Sequence, residues 1–168
     1  MRTEATAKDK LPDGDIRCFL KCHIPYRLEF LRRGIALAAD SRVRDPAVVE
    51  AALMAGRQLI EFLGIGLERK GPRTLKAKLS YQSFEGRCYE VKVVNLGGEF
   101  HDPETLDTNE QTILAEFIYA AEKSSAHLTE DSKHKLWDDD GEVFYGGCKI
   151  ITRLVRAACS IAESRLVL

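Results

Sequence analysis

Hydrophobic positions along the chain recur mostly at three- and four-residue spacing, the period of one helix face, and alternate with polar positions in one middle stretch. In "PYRLEFLRRGIALAAD" Leu28, Leu31, Ile35 and Ala38 or Ala39 line one side, while Arg27, Arg32 and Arg33 lie elsewhere. The spacing predicts a helix with Pro25 in its first turn, where a missing N–H costs nothing. Ahead of it, "IRCFLKCHI" reads as a short helix capped by Asp13 or Asp15 that bends or stops near Pro25. Residues 1–12 are polar and aperiodic, and read as a flexible tail before a single domain over 13–168.

The clearest helix is "DPAVVEAALMAGRQLIEFLGIG". Asp45 is a natural N-cap, Pro46 suits the first helical position and Gly64 supplies the stop. Val49, Leu53, Gly56, Ile60 and Leu63 form one seam flanked by Val48, Ala52, Leu59 and Phe62, a face wide enough to be central to a bundle. Arg57 and Glu61 sit one turn apart on its rim as a surface ion pair. The period then changes to two: "LKAKLSY" and "CYEVKVV", on either side of "QSFEGR", predict a small β-hairpin or extended insertion around residues 75–94. Two strands alone are marginal, so they must lie on the helices.

Helical spacing returns in "NEQTILAEFIYAAEKSSAHL", capped by Asp107 or Thr108, with Ile113, Leu114, Phe117, Ile118 and Ala121 on one stripe. "GEVFYGGCKIITRLVRAACSIAESRLVL" closes the chain as a long helix, with Phe144, Cys148, Ile151, Leu154 or Val155, Ala158 and Ile161 or Ala162 inward. The expected fold is mainly α, a bundle of four to five helices with a small extended insertion.

At 168 residues the chain can bury a core of its own without a staple. No apolar run approaches a membrane span and the first residues lack the apolar core of a secretory signal, so the expected location is cytoplasmic, away from membranes. Five cysteines, an odd number, then read as reduced thiols. Net charge is −1 but uneven: residues 1–99 hold 18 Lys and Arg against 13 Asp and Glu, and residues 100–168 hold 7 against 13. Halves of +5 and −6 fit packing against each other, or pairing of two copies as a homodimer, better than a dedicated nucleic-acid binder.

Candidate chemistry is dispersed. Cys18, Cys22 and His23 lack the second ligand pair that structural zinc needs, and are expected as buried thiols on one helix face. Gly64, Gly66 and Gly71 follow a helix rather than a strand, which excludes a dinucleotide loop. From Arg69 to Lys92 seven cations and two acids are interleaved with Tyr81, Phe84 and Tyr89. Such a segment either stacks bases and neutralises phosphates, through Arg69, Lys70, Arg73, Lys76 and Lys78, or is the wetted face of a strand. His127, Asp131 and His134 share a face only if their helix continues. Thr129, Asp131 and Ser132 are cap and turn formers that break it, and "DDDGE" lacks the spaced ligands of a calcium loop, so neither a metal nor a cofactor is expected.

"RQLIEFLGI", "NLGGEFHDPETL" and "FIYAAEKSSAHLT" together resemble an uncharacterised bacterial helical-bundle family similar to HEPN domains, over roughly residues 45–160. The resemblance implies a compact helical bundle and, in members with an R-x4-6-H motif, RNA cleavage by an arginine and a histidine. Here Lys123 stands upstream of His127 as K-x3-H, and the one literal match, Arg17 to His23, falls on the first helix. The expected function is therefore an accessory or interaction protein without a complete catalytic motif. The alternatives are an RNA-cleaving domain using Lys123, His127 and Arg57, and a nucleic-acid-binding module built on residues 69–92.

Overall fold

The structure, a computed structural model, describes residues 11–39, 45–67, 75–77, 91–126 and 141–166. It is a bundle of four long helical segments. The first comprises α1 (Asp13–Cys18), a π-turn (Phe19–His23) and α2 (Ile24–Ala39), which run on without a break. Then come α3 (Pro46–Leu63), β1 (Ile65–Leu67), β2 (Leu75–Ala77), two 3-10 turns (Val93–Leu96 and Pro103–Thr105), α4 (Thr108–Ala126) and α5 (Glu142–Leu166). Helix α3 packs on α2, α4 and α5, and α5 also closes on α2 and α4. Consistent with its wide apolar face, α3 contributes Leu53, Leu59, Ile60 and Leu63, each at most 2% exposed. Across from them lie Leu31, Leu114, Phe117, Phe144 and Ile151, each fully buried. Every such side chain withdrawn from water stabilises the fold by about 1.5–3 kcal/mol before entropy is counted.

Capping follows the sequence closely. Asp45 Oδ1 accepts from the N–H groups of Ala47 and Val48 at 3.0 and 3.4 Å, and Gly64 ends α3 at φ 79°, a left-handed position that disfavours side chains. Asp107, not Thr108, caps α4, accepting from Glu110 N–H at 2.8 Å. Helix α1 departs from expectation. It starts at Asp13 behind Pro12 without a side-chain cap, so Asp13 and Asp15 sit in the first turn, where the helix dipole favours carboxylates. Leu11, read from sequence as tail, donates its N–H to Asn95 O at 3.0 Å and packs on the core.

Pro25 neither stops nor bends the helix out of the bundle. A proline lacks the N–H that would bond four residues back, and its ring crowds that carbonyl. The chain accommodates it with the π-turn immediately upstream, where Ile24 N–H reaches Phe19 O, five residues back. Ile16, Leu20, Ile24, Leu28 and Leu31 then all keep to the core side.

The extended insertion is real but its pairing differs. Leu75–Ala77 is a strand as the alternation predicts, yet its antiparallel partner is Ile65–Leu67, in register Ile65 with Ala77, Gly66 with Lys76 and Leu67 with Leu75. The second predicted strand, around 88–94, is replaced over Val93–Leu96 by a 3-10 turn, and residues 78–90 lie outside those described. The reason is local. Val93, Val94 and Leu96 are all buried, which an alternating strand could not achieve, and Asn95 Oδ1 accepts Lys92 N–H at 2.8 Å, closing the turn on itself.

Candidate anion-binding cleft

The π-turn brings Phe19 to the surface beside α3, where an open cleft of about 340 Å³ forms. Phe19 and Ile24 supply one wall, Met54, Leu59 and Phe62 of α3 the other, and Val91 the end. The rings of Phe19 and Phe62 are stacked with centroids 5.9 Å apart, and His23 stacks on Phe19 at 5.2 Å, extending the aromatic surface to solvent. Arg27, Arg57 and Lys92 also line the cleft, opposed by Glu61 alone among the described lining residues. The described lining therefore carries two more positive charges than negative.

Each charged group is held by its element. Arg27, on the first turn of α2, donates from Nε to Gln58 Oε1 at 2.8 Å and from a terminal nitrogen to His23 O at 3.0 Å. Those two bonds tie the guanidinium to α3 and to the carbonyl edge of the π-turn. Arg57 Nε lies 3.3 Å from Glu61 Oε1, the pair anticipated from their one-turn spacing, with the arginine side chain about one-third exposed. Lys92 enters from the segment that precedes the 3-10 turn, its backbone fixed by Asn95. Guanidinium and ammonium groups that share a cleft with aromatic rings can bind a phosphate and stack a base.

Of the residues singled out from sequence, Arg57 lines the cleft. Lys123 lies in the last turn of α4, a helix that contributes no described residue to the cleft, and Lys76 lies on β2 opposite Gly66. His127, Asp131 and His134, with Arg69, Lys70, Arg73 and Lys78, fall outside the described residues. Sequence reading missed Arg27 and Lys92 as partners of Arg57, because only the tertiary fold joins three segments so distant in the chain. Cys18 and Cys22, expected to be buried, are exposed. Ile16, Leu20 and Ile24 occupy the core-facing positions of that helix, and the thiols sit about half a turn away.

A second polar cluster, at the junction of α3 and α4, centres on His101. Its N–H donates to Leu63 O at 3.0 Å, sealing the end of α3 while the Phe100 ring covers Gly64. Thr105 hydroxyl donates to Asp102 O at 2.7 Å, so at 3.2 Å from His101 Nε2 it must accept, which places the imidazole proton on Nε2. Partial burial, then the nearby Arg153 guanidinium, pull the His101 pKa below its ordinary 6.5 against the opposite influence of Asp102 and Glu110. Arg153 is itself held by Glu110 at 2.6 Å. This cluster fixes a loop. It lines no part of the cleft.

Among the described residues no group of three or more His, Cys, Asp or Glu is disposed to hold a metal ion, and no described helix is long and apolar enough to cross a membrane. Comparison with protein-family models, curated proteins and solved structures finds no match to this chain.

Proposed function

We propose that this helical bundle, HEPN-like in architecture, is a non-catalytic binding module that holds single-stranded RNA in the cleft between the π-turn and α3. The observation that carries the reading is that Arg27, Arg57 and Lys92 line one cleft together with the stacked Phe19 and Phe62 rings. Cations provide the sequence-independent attraction to phosphates, and an aromatic floor accepts any base. Lys92 also ends, in the chain, the basic segment that begins at Arg69.

The test is fluorescence anisotropy with a labelled RNA oligonucleotide across a salt series. Wild-type protein binds with affinity falling as salt rises, and Arg27→Gln with Lys92→Gln flattens the logarithmic salt slope by roughly 0.7 per lost phosphate contact. Binding that is absent, or unchanged in the double variant, refutes the reading. RNA recovered shortened from the mixture, with shortening abolished by His127→Ala, replaces it with the RNA-cleaving alternative built on Lys123, His127 and Arg57.

A further inference from the structure

The two exposed cysteines flank the residue that floors the cleft. Cys18 ends α1 and Cys22 lies within the π-turn, so Phe19 sits between them in the chain, and its ring packs on Phe62. Both thiols are exposed and four residues apart in the chain, and Cys22 is the neighbour that raises the Cys18 pKa most. The remaining described thiols are differently placed: Cys148 is buried in the core and Cys159 is half-buried. Burial pushes those two up to about 12 and about 11, which removes them from thiolate chemistry near neutrality.

Residues one turn apart on a helix hold their β-carbons about 5–6 Å apart, whereas a disulfide requires about 3.5–4.5 Å. The backbone must give, and here it is already irregular. Phe19 N–H is shared between the carbonyls of Asp15 and Ile16, and Ile24 N–H reaches back five residues instead of four. Such single π-turns inside α-helices are rare and occur frequently at functional sites.

We propose that Cys18 and Cys22 are a redox-modification site, a vicinal dithiol that closes to a disulfide with peroxide and unwinds the π-turn at the mouth of the cleft. One thiolate sulfur attacks the peroxide O–O bond, which breaks to leave a sulfenic acid on that sulfur and hydroxide. The second sulfur then displaces hydroxide from the sulfenic acid and the S–S bond forms. Overall, two thiols and one hydrogen peroxide give one disulfide and two waters, the sulfurs being oxidised and the peroxide oxygens reduced. The effect on RNA rests on the cleft reading above, whereas the dithiol chemistry does not.

Full-length protein treated with hydrogen peroxide tests the site by three readouts. Trypsin cuts after Arg17 and Lys21, which places the two cysteines on separate peptides, 18–21 and 22–27. A disulfide within the chain appears as these two peptides linked, in protein that stays monomeric on a non-reducing gel. Dithiothreitol separates them, and Cys18→Ser or Cys22→Ser gives no linked pair. Amide hydrogen exchange over residues 19–24 rises on oxidation and returns on reduction. Linked peptides from a covalent dimer, bridges to Cys88, or over-oxidised but unlinked sulfurs overturn the proposal, as does a linked pair with unchanged exchange. In the third readout, oxidised protein binds the RNA oligonucleotide roughly tenfold more weakly, the scale of one lost stacking contact, and Cys18→Ser is insensitive to peroxide. If reduced protein binds no RNA, the cleft reading fails alone, and the peptide and exchange results still decide the dithiol.

Discussion

Replacing Gly56 with alanine should destabilise this protein, although alanine is the better helix former by about 1 kcal/mol. Gly56 is buried in the middle of α3, and a Cβ there would lie 2.6 and 2.7 Å from Phe117 Cε1 and Cζ and 3.2 Å from Ile151 Cδ1. Reaching the 3.4 Å that begins ordinary contact requires the ring to retreat by about 0.8 Å. It has nowhere to go. The opposite edge of the same ring rests on Gly147 of α5, where any Cβ would also strike it, and Phe144 is stacked against it at 6.3 Å. With the ring held on both sides the overpacking falls in the upper part of its range, about 2–3 kcal/mol, so the net loss after the helix gain is roughly 1–2 kcal/mol. For a chain of this size that is a drop in Tm of roughly 2–8 °C. Urea unfolding followed by circular dichroism measures it, with an unchanged m-value as the sign that the folded state alone is affected. The decisive comparison uses Phe117→Leu as background: with the ring gone, Gly56→Ala becomes neutral or stabilising, a coupling of about 2 kcal/mol between contacting residues. A Gly56→Ala protein as stable as wild type, or equally destabilised in both backgrounds, refutes the argument that the ring is clamped.

Two further outcomes follow from polar groups in the loops. Asn95→Ala removes the acceptor of Lys92 N–H from a residue only 1% exposed, and should cost about 1–3 kcal/mol in urea unfolding while loosening the docking of Leu11. Because the folded pKa of His101 is depressed, the unfolded chain binds more protons below 6.5; stability is complete above that value and declines as pH falls through it. His101→Gln should flatten that part of the stability–pH profile. A profile unchanged by the substitution removes His101 from the account.

The helices were legible because each has a partner for its apolar stripe, and because caps lie close in sequence where they occur, Asp45 and Gly64 for α3 and Asp107 for α4. Even the ambiguous choice between Ile161 and Ala162 is decided by packing: Ala162 is fully buried and Ile161 is 48% exposed. What escaped was non-local. The partner of Leu75–Ala77 is a three-residue strand too short to announce itself by alternation. At the candidate site, the Arg57–Glu61 pair could be read from spacing alone, but Arg27 and Lys92 join it only through tertiary packing. Cys18 and Cys22 were misplaced because the burial usual for a free thiol was set above the four-residue spacing of Ile16, Leu20 and Ile24, which turns both cysteines away from the core.

A π-turn closes its hydrogen bond over five residues where an α-helix uses four, so Phe19–His23 holds one residue more than a regular turn. Removing a residue from this segment would restore a regular spiral and rotate everything before it by about 100°. Ile16, fully buried now, would swing toward solvent, and the Leu11 backbone would leave Asn95. The extra residue therefore sets the rotational alignment between the chain's first turns and the rest of the bundle. The same π-turn also carries the phenylalanine that lines the cleft, with an exposed thiol on either side of it in the chain.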